Sequence, residues 1–295
     1  MPSSIDSNYA DYLLPKRLIF FDLDGTLIPS TFASGRRIAI SMSIYQQVKE
    51  FAQAIFRIDN LPELHEEECS NWYRSNGGPQ GLIAEILSTC ELSEEIADCL
   101  SFYFNGLFNR RLTQYLKEDL KHDRVPDEII QFLEKLSEVA SMILVSYRYQ
   151  TQFEFLSSLE DLGLTNNSLF GPSNAFAVGE PGTSSDGSKS RFVGKMWRRE
   201  IRAQRRLTSE IGKTFPPLIV GDSIRDIHFA VDVGGIFFGV SETGEASNDA
   251  MVKEIKHQES NLSSRSRVFK SLLDEKLQIR ILEECAAYQE TIKAL

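Results

Sequence analysis

Residues 17–30 read RLIFFDLDGTLIPS, a short run of β-branched and aromatic residues followed at once by Asp22 and Asp24. A continuous apolar run of this kind is typical of a strand buried on both faces. Side chains two apart in an extended chain point the same way, so both carboxylates are expected to face one site just beyond the strand. Taken alone, the D-x-D-G pattern is also compatible with a plain acidic turn.

Other apolar runs have the same character as the first. They are SMILVS (141–146), PPLIVGD (216–222) and GGIFFGVS (234–241). Amphipathic helical patterns accompany them, and the clearest cover residues 127–139 and 152–163. Strands that alternate with helices predict an α/β fold in which a doubly wound, Rossmann-like parallel sheet forms the core.

The stretch from about residue 30 to residue 124 differs from the rest, because helical periodicity dominates it and no strand pattern interrupts it. We interpret it as a helical domain inserted between the first strand and the second. The expected organisation is a core domain over residues 1–30 and 127–245, a helical domain over 31–126 and a helical C-terminal extension over 246–295.

Charge and hydropathy exclude several classes of function. The 295 residues carry a net charge of −10, whereas binding to nucleic acid requires a basic surface. No apolar run approaches the roughly 18 residues of a membrane span. The N-terminal residues lack the basic start and apolar centre of a signal peptide, so we expect a cytoplasmic protein with free cysteine thiols. No pattern indicates an oligomeric state.

Polar side chains follow three of the predicted strands. Asp22 and Asp24 follow the first, Ser146 ends the second, and Asp222 and Asp226 follow the third. The carboxyl ends of parallel strands meet at one edge of a sheet, which is where open α/β sheets bind ligands. Carboxylates that converge there repel one another unless a cation is present. All-oxygen ligation suits Mg²⁺, which is therefore the expected cofactor.

Four of these segments, taken in order, resemble the motifs of the haloacid-dehalogenase-like superfamily. They are FFDLDGTL, the strand that ends in Ser146, a following lysine and VGDSIRD. The resemblance implies that Asp22 is a nucleophile that forms an aspartyl-phosphate, and that Asp24 is a general acid that later serves as a base. It also implies phosphate chemistry, because the dehalogenase branch does not place an acid two residues after its nucleophile.

The resemblance further implies the binding roles of these side chains. Asp22, the main-chain carbonyl of Asp24 and Asp222 are expected to bind Mg²⁺, with Asp226 as a ligand or next to one. Ser146, Thr26 and the lysine are expected to bind the phosphoryl oxygens. Lys195 lies 27 residues before Asp222, near the usual spacing of the family, whereas Lys189 lies 33 residues before it. Lys189 is slightly preferred because an apolar stripe predicts a helix from about residue 190, but both lysines remain candidates.

The predicted helical domain resembles the α-helical cap of many phosphatases in this superfamily, which closes over the site and reads the leaving group. Candidate specificity residues are Arg36, Tyr73, Arg74, Gly78 and Arg148. Each has a structural alternative, which for Arg148 is an arginine that faces solvent at the start of a helix.

The resulting expectation is a Mg²⁺-dependent phosphatase that acts on a small phosphorylated metabolite, such as a sugar phosphate or an organic-acid phosphate. A phosphomutase is the alternative within the same chemistry, because it also uses an aspartyl-phosphate but returns the phosphoryl group to its substrate. A non-catalytic binding protein on the same scaffold is the alternative from another class.

Overall fold

The structure of the protein is a computed structural model. It describes residues 16–28, 35–76, 79–119, 125–148, 151–165, 169–178, 215–242 and 246–294. Among these residues, none of the helices is both long enough and apolar enough to pass through a membrane.

In the described part of the chain, the core of the fold is a six-stranded sheet in which every pairing is parallel. The strands are β1 (Arg17–Phe21), β2 (Ala140–Ser146), β3 (Ala175–Ala177), β4 (Leu218–Gly221), β5 (Ile236–Val240) and β6 (Arg267–Phe269). Their order across the sheet is β3-β2-β1-β4-β5-β6, so the chain runs outward from β1 in both directions. This order confirms the predicted doubly wound α/β fold.

Helices fill most of the connections in the described part of the chain. Between β1 and β2 lie α1 (Arg36–Phe51), a π-helical turn (Ala52–Phe56), α2 (Glu66–Asn76), α3 (Pro79–Ser88), α4 (Glu94–Asp119) and α5 (Asp127–Val139). The later helices are α6 (Gln152–Asp161), α7 (Ile224–Val233), α8 (Asn248–His257) and α9 (Glu275–Lys293).

Alternate residues of the buried strands face two different cores. In β1, Ile19 and Phe21 belong to a cluster that includes residues of α5, α6 and α9, whereas Leu18 and Phe20 belong to one that includes residues of α7 and α8. The ring of Phe20 meets that of Phe229 edge to face at 5.2 Å. A sheet that is covered on both faces explains why β1 is apolar at successive positions.

The helices α1–α4 form a third hydrophobic cluster of their own, between Ile38 and Phe108. Leu112, near the end of α4, is half-buried and packs against both this cluster and the core beneath α5. A separate core supports the predicted helical domain, although its boundaries at residues 31 and 126 stay a prediction.

The C-terminal region departs from the expected pattern, which was helical throughout. Residues 267–269 form β6, which pairs with β5 and extends the sheet. β6 and β3 were missed because each is only three residues long, too short for a periodic apolar pattern. The boundary at residue 245 stays a prediction, but the sheet itself continues past it.

A buried ionic cluster joins the start of β1 to α9. Arg17 is 1% exposed, and its guanidinium lies 3.6 Å from the carboxylate of Glu284 and over the rings of Phe215 and Tyr288. Burial lowers the pKa of Arg17 to about 10 despite the opposing charge of Glu284. Glu284 also accepts a 2.8 Å hydrogen bond from Arg265. The buried carboxylate of Glu284 therefore pairs with more than one guanidinium. This cluster lies at the start of β1, at the end of the sheet opposite to Asp22 and Asp24.

Candidate active site

A tight turn holds Asp22 and Asp24 at the carboxyl end of β1. The main-chain N–H of Asp22 donates to the carbonyl of Val220, so β1 and β4 remain paired up to the first aspartate. Beyond it, the carbonyl of Leu23 accepts from the N–H groups of the next turn, and Gly25 donates to Ile28 over 2.7 Å. Gly25 has φ 87°, a left-handed conformation that favours glycine, which explains the G of the D-x-D-G pattern.

Three carboxylates meet between β1 and β4. Asp22, Asp222 and Asp226 are all buried, and one carboxylate oxygen from each lies within 4.8 Å of the others. β1 and β4 are neighbours at the point where the strand order reverses, which is where doubly wound sheets bind ligands. The topology therefore brings together acids that are separated by about 200 residues in the sequence.

The chemistry of this group fits Mg²⁺. Buried carboxylates this close together repel one another, and a divalent cation removes the repulsion. All three donors are hard oxygens, which Mg²⁺ prefers over nitrogen or sulfur ligands. The side chain of Asp24 is not a member of the group, so its expected contribution to the metal site, the main-chain carbonyl, stays a prediction.

Asp226 is fixed from two sides. Its Oδ2 accepts hydrogen bonds from the hydroxyl and the main-chain N–H of Ser223, at 2.7 and 3.2 Å. On the other side it lies against Gly221, where a Cβ would come within 2.5 Å of the Asp226 carboxylate carbon. Gly221 is therefore required for space: any side chain there would occupy the position of the Asp226 carboxylate.

We predict that Gly221→Ala lowers the affinity for Mg²⁺ at least about tenfold. The new methyl group displaces the carboxylate of Asp226, which cannot move without breaking its hydrogen bonds to Ser223. The measurement is a calorimetric titration of the purified variant with MgCl₂, with thermal unfolding recorded in parallel.

Gly239→Ala is the matched control for this substitution. Gly239 is paired with Gly221 in the sheet, but its Cβ would meet the ring of Phe237 and the sulfur of Met251 rather than an acid. We expect it to lower the unfolding temperature and to leave Mg²⁺ affinity unchanged. Equal loss of Mg²⁺ affinity in both variants would contradict a specific effect on Asp226.

Residues at and just after the end of β2 form hydrogen bonds with the carboxylate of Asp24. Its two carboxylate oxygens accept hydrogen bonds from Nε and Nη2 of Arg148, each at 2.8 Å, and the hydroxyl of Ser146 lies 3.4 Å from Oδ2. The main-chain N–H of Arg148 donates in turn to Ser146 Oγ over 3.2 Å. This two-pronged guanidinium–carboxylate pair is the strongest form of such an interaction and fixes the orientation of the carboxylate.

The charge state of Asp24 follows from this pairing. Burial by itself raises the pKa of Asp24, but the charge and hydrogen bonds of Arg148, followed by the charge of Arg37, outweigh burial and hold the pKa below its ordinary value. Arg37 belongs to the first turn of α1, so one charge at the start of the helical insertion acts on this carboxylate. Asp24 is therefore ionised in the conformation described.

The expectation that Arg148 faces solvent at the start of a helix is wrong. Arg148 is 4% exposed, and α6 begins four residues later at Gln152. The true start is marked by Thr151 and Glu154, which form a reciprocal capping box. The T-x-x-E pattern was available in the sequence and would have placed Arg148 in the loop beside Ser146, so this signal was missed.

The other candidate residues are placed less completely. Thr26 is buried, and among the described residues its hydroxyl has no hydrogen-bond partner. Lys189, Lys195 and Gly78 lie outside the described residues, so the choice between the two lysines stays open. Arg36 lies at the start of α1 and Tyr73 and Arg74 lie in α2, but their side chains are outside the part of the chain that is described.

Solved structures with a similar fold are known. A haloacid dehalogenase-like protein of unknown function from Agrobacterium tumefaciens matches with a TM-score of 0.52 and 14% identity, over 91% of this chain and 99% of its own. A phosphonoacetaldehyde hydrolase-like protein from Oleispira antarctica gives 0.52 and 14%, over 92% and 95%. A β-phosphoglucomutase from Clostridium difficile gives 0.50 and 13%, over 93% and 99%.

These likenesses establish the fold. No protein-family model matches the sequence, and no curated protein matches it either. At identities of 13–14% the similarity shows that the chain has the haloacid-dehalogenase-like fold, which confirms the resemblance of the motifs at that level.

Proposed function

We propose that this chain, which has the haloacid-dehalogenase-like fold, is a Mg²⁺-dependent phosphatase that hydrolyses a small phosphomonoester. One observation carries the proposal: the turn after β1 holds both Asp22, which belongs to the buried group with Asp222 and Asp226, and Asp24, which forms the ion pair with Arg148. A metal site next to a second, separately held carboxylate is what a two-step phosphoryl transfer requires.

In the first step, a carboxylate oxygen of Asp22 attacks phosphorus. A bond forms between this oxygen and phosphorus, and the bond from phosphorus to the leaving oxygen breaks. Asp22, Asp222 and Asp226 would hold Mg²⁺, whose positive charge would offset the repulsion between the carboxylate and the anionic phosphate. The hydroxyl of Ser146 and the lysine at 189 or 195 bind the phosphoryl oxygens.

Asp24 moves the protons in both steps. It first gives a proton to the leaving oxygen, and it then takes one from the water that attacks the aspartyl-phosphate, which releases inorganic phosphate and restores Asp22. The ionised form held by Arg148 is the form that the second step needs. For the first step, Asp24 has to take up a proton, and its hydrogen bonds with Arg148 have to weaken.

In this proposal, the helices α1–α4 act as a cap that recognises the leaving group. Their separate hydrophobic core supports an independent unit, and the effect of Arg37 on Asp24 indicates that the start of α1 lies close to the site. A cap that closes over the site would exclude bulk water and strengthen the electrostatic interactions inside it. The substrate is then a small phosphorylated metabolite, bound in the cytoplasm.

The test is release of inorganic phosphate from a panel of sugar phosphates, organic-acid phosphates and p-nitrophenyl phosphate. We expect release that requires Mg²⁺ and falls to background in EDTA. Activity that persists in EDTA contradicts the metal-dependent mechanism, and no release from any member of the panel contradicts the phosphatase.

The same panel separates the phosphatase from its alternatives. A phosphomutase would isomerise a sugar phosphate, which is detected by phosphorus NMR without the appearance of inorganic phosphate. A non-catalytic binding protein would bind a member of the panel in a calorimetric titration without changing it. The intact set of acids at the ends of β1 and β4 argues against this last alternative.

A further inference from the structure

The side chain of Arg148 is buried at the site, and only two of its three nitrogen atoms make hydrogen bonds within the described residues. Nε and Nη2 hold the two oxygens of Asp24, which leaves Nη1. Nη1 is buried and, among the described residues, has no hydrogen-bond partner. A buried N–H group without an acceptor has a desolvation cost, which a ligand oxygen that accepts from it would offset.

The surroundings of Arg148 indicate which ligand it is. Its main-chain N–H donates to Ser146 Oγ, and both residues contact Asp24, so the guanidinium lies with the groups that follow β1 and β2 at the carboxyl edge of the sheet. A guanidinium offers donors in a planar fork, and the oxygens of a phosphoryl group are well suited to accept from it.

We propose that Arg148 is a substrate-binding residue, in which Nη1 donates to an anionic oxygen of the phosphoryl group while Nε and Nη2 hold Asp24. This inference rests on the proposed phosphatase function. One rigid guanidinium then sets the position of the Asp24 carboxylate relative to phosphorus in the second step, in which Asp24 is ionised and paired with Arg148. The distance between the proton-transfer group and the reacting atom depends on Arg148 rather than on the mobility of two separate side chains.

Lysine cannot perform both tasks. Its ammonium group is a compact point charge on a flexible stem, and it cannot bind two carboxylate oxygens and a phosphate oxygen in one plane. Arg148→Lys therefore keeps the charge and loses the geometry, whereas Arg148→Met keeps much of the length and loses both.

The experiment is a calorimetric titration of the full chain with inorganic phosphate in the presence of Mg²⁺. We expect the Kd for phosphate to rise at least about tenfold in Arg148→Met and at least about threefold in Arg148→Lys. Arg280→Met is the matched control, because Arg280 also contacts carboxylates, those of Glu283 and Glu284, but lies on α9. Its Kd for phosphate is expected to equal that of the unmodified protein.

A structural role for Arg148 predicts a different result. If Arg148 only holds Asp24, kcat falls in Arg148→Met while the Kd for phosphate stays unchanged, and this outcome overturns the inference. If Arg148→Met does not fold, as judged by circular dichroism, Arg148→Lys decides in the same way. Failure of the proposed function is distinct: the unmodified protein then releases no phosphate from any phosphomonoester. Release by the unmodified protein together with unchanged phosphate binding in both variants overturns the inference alone.

Discussion

Asp22→Asn is expected to lower phosphate release on the order of 1,000-fold or more, with little change in the fold. An amide oxygen is a poor nucleophile, so the variant cannot form the aspartyl-phosphate. The substitution also removes one of the three buried charges that face the metal site. The measurement is kcat with the best substrate of the panel, with circular dichroism as the check on folding.

Asp161→Asn is the control for this prediction, because Asp161 is an exposed carboxylate at the end of α6. It should release phosphate at the rate of the unmodified protein. More than about a tenth of the normal rate in Asp22→Asn would be incompatible with a nucleophilic Asp22. A second experiment distinguishes Asp22 as a nucleophile from Asp22 as a metal ligand. The unmodified protein is mixed with labelled substrate and quenched with acid, and the labelled peptide is identified. It should contain residue 22.

Glu284→Gln is expected to destabilise the protein by about 3 kcal/mol, because it leaves the charge of Arg17 buried without its anionic partner. Arg265 and Arg280 also contact this carboxylate, so the change brings several guanidinium groups together with no negative charge between them. The free energy of unfolding is measured by urea denaturation of the two proteins under the same conditions.

The neighbouring Glu283→Gln tests whether burial is the cause. The side chain of Glu283 is 59% exposed and contacts only the exposed Arg280 among the described ion pairs, so we expect a change below about 0.5 kcal/mol. The two variants remove the same charge from adjacent positions of one helix. Equal shifts in the urea midpoint would show that the contact of Glu284 with Arg17 has no special importance.

The parts of the fold that could be predicted are those in which the pattern is long. The strand at 17–21 and the helix at 127–139 have in the structure the bounds that the apolar run and the 3.6-residue rhythm indicated. The strands at 175–177 and 267–269 could not be identified, since a three-residue strand at the edge of a sheet is decided by its neighbour across the sheet rather than by its own sequence.

Some contacts of the candidate site could likewise be predicted from the sequence, and others could not. The meeting of Asp22 with Asp222 follows from the rule that parallel strands deliver their carboxyl ends to one edge, so the sequence was sufficient for it. The pairing of Asp24 with Arg148 depends on how a loop folds back after β2, and single-sequence patterns do not determine that path. The space that Gly221 leaves for Asp226 is likewise a property of packing, which becomes visible only when both strands are in place.

The central position of β1 has a consequence for synthesis on the ribosome. Ile19 pairs with Met142 on one side and with Leu218 on the other, so β1, the first strand of the described residues, is translated before both of its neighbours. At about 5–20 residues per second, roughly 10–40 s pass between translation of β1 and translation of β4. During this interval the apolar residues of β1 are exposed on the nascent chain. We therefore expect nascent chains of this protein to depend on chaperones more than the stability of the folded protein would suggest.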